Sequence, residues 1–179
     1  IGLTPNLADA ASHWGVARDI KAVSGLPITL PNISPFKKSA QQFPIQVDVQ
    51  DAGCTRFCGV TIDGVQVGPS PDWLQERLLA IGLRPINNIV DITNFICHGL
   101  GQPMHAYDWN AIKGGKLIVD SLPAGTLFKT LDGVERKLTG EELMICDASG
   151  AIGMAGVMGG EETGVTETSA GFRKIDAAN

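Results

Sequence analysis

The sequence predicts an α+β fold: antiparallel sheets, about three main helices and two closely packed subdomains. Three observations point there. Asp-Gly stands twice between β-rich runs, at Asp63-Gly64 and Asp132-Gly133, the strongest short hairpin signal. Residues 88–100, NIVDITNFICHGL, place apolar residues at helical spacing, and Ser70-Pro71-Asp72 reads as the start of another helix. Finally, 22 glycines and 10 prolines with 6% aromatics favour turns and short strands over long helices.

Thr4-Pro5-Asn6 opens as a turn, and Trp14, Val16, Ala17, Ile20 and Val23 then suggest an amphipathic helix over 8–24. Asp9 or Ser12 caps it and Gly25 ends it. Residues 27–44 carry Pro27, Pro31, Pro35 and Pro44 and read as an extended crossover. Residues 45–49 alternate with period two, as a half-buried strand does. Phe57–Ile62 and Val65–Val67 flank Asp63-Gly64 as a hairpin. Arg56 stands at its entry, suited to a surface ion pair or to an RNA backbone contact. Ser70 caps the next helix, Pro71 takes its first position and Asp72 faces its positive end. Trp73, Leu74, Leu78 and Ile81 give that helix one apolar side, and Gly82 stops it.

The central stretch runs from Arg84 to Asp108, bracketed by Pro85 and Pro103. Its helix spans about Asn88 to Leu100, capped by Asn87 or Asn88, with Gly99 and Gly101 breaking it. A strand is the alternative, because Ile, Val and Thr are frequent. As a helix it sets Ile89, Ile92, Ile96 and Leu100 on one side and Asp91, Asn94 and His98 on another. Strands follow at 116–120, 127–131, 134–137 and 143–146, then a turn at 147–150 and the glycine-rich segment 151–160, AIGMAGVMGG, with a strand at 151–158.

A net charge of −5 and a pI near 5.1 exclude a chain that grips duplex nucleic acid by charge alone. They leave room for handling one terminal nucleotide. At 44% apolar, 18% charged and mean hydropathy +0.10, the chain is globular rather than disordered. No 18-residue apolar run stands in it, so no membrane span is expected, and no signal peptide is visible. Cys54 and Cys58 form CxxxC with no second close pair, which favours reduced thiols over a zinc site.

Little in the sequence supports covalent catalysis: no serine lies in a GxSxG turn. The glycine-rich segment lacks the Lys-Ser/Thr of a phosphate-binding loop. Its glycines fit either tight sheet packing or a place where a flat group meets bare backbone beside Ala155 and Gly156. His105, after Pro-Met, is a structural hydrogen bonder or a site residue, and no second His or Cys stands at metal-ligand spacing. Arg84 suits a helix-end ion pair, Asn94 a backbone-satisfying amide, and His13 and His98 surface or capping roles.

Several blocks in order, TPNLADAASHWGVARDI (4–20), CTRFCGVTIDGVQVGPSPDWLQERLLAIGLRPIN (54–87), GQPMHAYD (101–108), KTLDGVERKLTGEEL (129–143) and MAGVMGGEETGVT (154–166), resemble the editing domain of bacterial phenylalanyl-tRNA synthetase beta subunits. That family removes tyrosine wrongly attached to tRNA. The resemblance covers about 3–168. It implies that His105, Arg84, Asn94, Ala155 and Gly156 stand at positions of the editing pocket. In the expected mechanism His105 and Arg84 orient the ester and the ribose or phosphate, and backbone N–H groups near Gly156 and Gly159 support the oxyanion. Partners would be a charged tRNA acceptor end, the alpha subunit and the remainder of the beta subunit, in the cytoplasm. No cofactor is expected in this stretch; ATP and magnesium belong to the full-length enzyme, and this stretch alone should not aminoacylate. The acidic residue that reads the tyrosine hydroxyl should fall near Ile175, where SAGFRKIDAAN departs from the family and Asp176 is the nearest acid.

The expected organisation is a leading helix and crossover (1–44), an editing core (45–168) and a non-matching tail (169–179). The expected function is hydrolysis of the mischarged aminoacyl ester by water. The alternatives are a non-catalytic tRNA-positioning or assembly module of the same subunit, and a plain ligand-binding domain.

Overall fold

The computed structural model describes residues 2–37 and 46–166, and the backbone of 171–178. Ile1, residues 38–44 of the expected crossover, Ile45 and residues 167–168 of the expected core, and residues 169–170 and Asn179 of the expected tail lie outside the described residues.

The architecture is α+β, as the turn chemistry predicts, with three α-helices and three sheets among the described residues. Strands β1 (Gln46–Val49), β4 (Lys116–Ser121), β7 (Leu143–Asp147), β8 (Gly150–Met154) and β9 (Met158–Gly159) form a five-stranded sheet in the order β1-β4-β7-β8-β9. β2 (Arg56–Asp63), β10 (Gly171–Ala178) and β3 (His105–Asp108) form a second, in the order β2-β10-β3. β5 (Leu127–Lys129) and β6 (Glu135–Lys137) form a hairpin. Among the described residues, the one departure from antiparallel pairing is β1 with β4. A parallel pair needs a long crossover, and β2, β3 and two helices fill it.

Alternation along β7 builds two cores. Ile145 joins Tyr107, Ile112, Leu117 and Ile152, against which Phe57 and Ala155 pack. Met144 and Cys146 join Phe128 and Leu138. Successive strand residues face opposite ways, so β3 lies on one face of the five-stranded sheet and the β5–β6 hairpin on the other. The Asp132-Gly133 turn forms as expected: Gly133 sits at φ +76°, and Asp132 accepts from Thr130 Oγ1 (2.5 Å) and from the Val134 N–H (3.2 Å).

The Asp63-Gly64 expectation fails. Gly64 has φ +69°, but Val65–Val67 form no strand, and β2 pairs with β10 instead. Asp-Gly specifies a reversal, not the partner; the longer β10 offers eight register positions against three. The first helix is also shorter than expected. Ala8–Ala10 is a 3-10 turn, and α1 (His13–Ser24) starts after Ser12, whose Oγ accepts from the Gly15 N–H at 2.9 Å. Gly25 closes α1 in the left-handed conformation.

Ser70 does not cap α2 (Asp72–Ala80). Pro71 holds that position, and the Ser70 hydroxyl donates to Asp91 Oδ2 at 2.5 Å. Asp91 lies on α3 (Asn88–Leu100), is 0% exposed, and also accepts from the Ile86 N–H at 2.9 Å. The expected polar line on α3 is thus broken: Asp91 faces inward while Ile92 and Leu100 are exposed. A buried carboxylate is tolerated because these donors satisfy it. The expected apolar side of α2 also splits. Leu74 and Leu78 are buried, whereas Trp73 is 52% exposed, edge-on to Phe95 at 5.6 Å with Arg77 over both rings. The α3 boundaries agree with the sequence reading. Asn87 Oδ1 accepts from the Ile89 and Val90 N–H groups, and Gly101 ends the helix at φ +83°. α3 touches α1, α2 and β3, and its end delivers the chain through Pro103 and Met104 to His105.

Candidate functional site

Period-two alternation in β3 points His105 and Tyr107 toward the five-stranded sheet, and their rings meet edge to face at 4.5 Å. Opposite them stand two bare backbones. Gly153 of β8 pairs with Gly159 of β9. The Gly160 N–H donates to the Ile152 carbonyl at 2.9 Å beside them, which makes Gly153 and Gly159 a non-hydrogen-bonded, closely spaced pair. A Cβ on Gly153 would collide with the Tyr107 hydroxyl, and one on Gly159 with the His105 imidazole. Each glycine therefore seats one ring. Tight packing is the outcome for these two residues.

Tyr107 is 1% exposed, and burial pushes its phenol well above its ordinary value. Burial also lowers the His105 pKa to about 4, so its imidazole is neutral at pH 7. Its Nε2 is covered and has no hydrogen-bond partner among the described residues. An orphaned buried polar atom is uncommon and costs free energy, which marks it as a group awaiting a partner.

His105 borders a cavity of about 70 Å³. Pro103, Met104 and Tyr107 line one side, and Ile145, Met154, Gly156, Val157, Met158 and Gly159 the other. Ligand sites usually exceed roughly 300 Å³, so this space holds a few waters, not an amino acid joined to a nucleoside. Gly156 turns the β8–β9 tip at φ +69°, and the Val157 N–H closes that turn on the Met154 carbonyl at 3.1 Å. A positive φ at the third residue of a turn favours glycine.

The structure brings His105, Gly156 and Gly159 to one cavity. Ala155 is half-buried beside it, packed on the core around Tyr107, with its N–H on the Leu143 carbonyl at 2.9 Å. Arg84 and Asn94 do not line it. Arg84 is exposed in the connection between α2 and α3, and Asn94 is half-buried on α3. Asp176 lies in β10, whose register places Cα of Ile175 opposite His105 and Asp176 opposite Cys58. Tyr107, Met104, Val157 and Met158 were not singled out from sequence. Alternation in HAYD was the available signal for Tyr107; the others depend on how β3 meets the β8–β9 tip.

Among the described residues no three His, Cys, Asp or Glu side chains gather as a metal site, and no helix is long and apolar enough to cross a membrane. Cys54, Cys58, Cys97 and Cys146 are all free thiols, and burial first, then Asp120 and Asp147, raise Cys146 to about 11.

The chain is similar to proteins named phenylalanine–tRNA ligase beta subunit. It is 50% identical over 175 residues to one from Bacteroides fragilis, covering 94% of this chain and 21% of that protein. It is 51% identical over 174 residues to one from Porphyromonas gingivalis, covering 93% and 21%. The chain thus spans about a fifth of the length of these relatives. A crystal structure of an N-terminal fragment of the phenylalanyl-tRNA synthetase beta subunit from Pyrococcus horikoshii shares the fold. Its TM-score is 0.58 at 18% identity, over 96% of this chain and 53% of that one. The family model of the B3/4 domain matches residues 53–172, a span that holds every residue lining the His105 cavity, and the chain belongs to that family.

Proposed function

We propose that the chain is the part of a phenylalanine–tRNA ligase beta subunit that hydrolyses tyrosine wrongly esterified to tRNA. The observation that carries this reading is the neutral His105, with its unpartnered Nε2 held over Gly159 beside the cavity. The names of the relatives and the motif resemblance support the substrate class.

In this reading water attacks the ester carbonyl. A carbon–oxygen bond to water forms, the bond to the ribose oxygen breaks, and that oxygen leaves with the proton. The ester is already activated, so positioning and a few hydrogen bonds suffice and no covalent nucleophile is needed. His105 Nε2 orients the ester or the water. Backbone N–H groups near Gly156 and Gly159 support the oxyanion, and a neighbouring ribose hydroxyl helps transfer the proton. Arg84, exposed at the helix connection, meets a phosphate of the tRNA end, and Asn94 contacts the ribose side. Ala155 leaves room for the flat group. Hydrogen bonding to a hydroxyl discriminates by up to ~10⁴–10⁵, far beyond an apolar slot; an acid near position 175 or 176 would supply it. The partners are the alpha subunit, the rest of the beta subunit and the charged tRNA end, in the cytoplasm. Amino-acid activation with ATP and magnesium belongs to other parts of the enzyme.

The test is deacylation of mischarged Tyr-tRNA by the chain and by His105→Ala. Turnover that falls about 10²-fold or more, with the fold intact, is the expected result. Equal rates for the two proteins would exclude His105 as the catalytic group.

A further inference from the structure

The His105 cavity has a neighbour. Across the β8–β9 tip lies a second cavity of about 400 Å³, reaching Lys137 and Leu138. Met154, Val157 and Met158 line both spaces and form the wall between them. The foot of this hairpin is tied down: the Gly160 N–H donates to the Ile152 carbonyl, and the Leu131 N–H to the Gly159 carbonyl at 3.0 Å. Beyond the foot, the Ala155 N–H on the Leu143 carbonyl anchors the first arm of the tip to β7, and the second arm, Val157 and Met158, is held among the described residues by the Met154–Met158 pair and the turn at Gly156. Val157 is 71% exposed, and methionine, with three rotatable bonds, readily changes the space it fills.

We infer that the β8–β9 tip is a movable wall, which sets the size of the group admitted beside His105 by withdrawing Met158 and Val157 into the outer cavity. The inner space alone falls well short of a ligand site of roughly 300 Å³, whereas the two spaces together reach that range. An aromatic side chain enters only with the wall drawn back. A small one fits with the wall in place. The identity of the aromatic group rests on the hydrolytic reading above; the wall itself rests on the geometry.

The experiment follows the His105 ring signals by NMR while L-tyrosinamide or L-alaninamide is titrated into the wild-type chain, M158A and K137W. Lys137 is exposed and lines only the outer cavity, so K137W fills the space the wall needs. Tyrosinamide affinity is expected to rise several-fold in M158A and to fall about tenfold in K137W, with alaninamide nearly unchanged in both. Melting curves establish that both variants fold, and E142W fills the same outer cavity if K137W does not. A properly folded outer-cavity variant that binds tyrosinamide as the wild type does overturns the wall. So does a wild-type chain whose His105 signals ignore tyrosinamide. Binding is read without hydrolysis. If Tyr-tRNA is not turned over yet the size dependence holds, the hydrolytic reading falls and the wall stands. If turnover is present and filling the outer cavity changes neither binding nor rate, the wall falls and the hydrolytic reading stands.

Discussion

At the scale of single residues, the site depends on one imidazole kept neutral by burial and two glycines that make room for rings. The His105 pKa lies near 4 in the folded chain, below its ordinary 6.5. The folded state therefore binds fewer protons than the unfolded one between these values, and stability rises with pH across that window. The stabilisation is complete above pH 6.5 and is lost as pH falls toward 4, amounting to roughly 3 kcal/mol at 1.36 kcal/mol per unit. Urea unfolding at pH 7 and pH 4.5 checks this, and H105Q should flatten the difference. Gly159→Ala places a methyl group in the imidazole, a packing clash that should cost about 1–3 kcal/mol. It should also displace the His105 ring signals, an effect absent if the glycine has open space.

Among the elements, α3 was the most legible. Asn87, the apolar spacing and Gly101 define the helix locally, and a helix with both caps is specified by nearby residues alone. Asn87→Ala should lower stability by about 1 kcal/mol in urea melts. The burial of Asp91 was not legible, because its donors come from Ser70, 21 positions away, and from the loop before the helix. Asp91→Ala should cost about 1–3 kcal/mol by leaving those donors unpaired, more than an exposed helix residue would. A change within a few tenths of a kcal/mol would contradict the buried placement. The two Asp-Gly turns show the same division. Asp132-Gly133 joins neighbours in sequence and folds as read, while the strand before Asp63-Gly64 takes its partner from residues 171–178.

At the scale of the whole molecule, β10 is the strand on which the site's geometry depends. It lies between β2 and β3, with Ile175 in register with His105. Ending the chain at residue 170 should strip both neighbours of their pairing, lower the melting temperature and move the His105 pKa from about 4 toward 6.5 as water reaches it. An unchanged titration curve would remove β10 from that role. The exposed Ile20, Ile33, Phe36 and the 92% exposed Val23 lie in the leading segment and belong to neither core cluster. By itself the sequence determined the α+β class, the ends of α3, the β5–β6 hairpin and His105 as the histidine to examine. Each is set by turn chemistry, caps or motif residues within a few positions. Only the tertiary structure decided that Tyr107 shares the His105 face, that Gly153 and Gly159 seat the two rings, and that Arg84 and Asn94 stand apart from the cavity. Those facts arise where β3 meets the β8–β9 hairpin some fifty residues later, and contacts between such distant segments leave no periodicity in the chain to read.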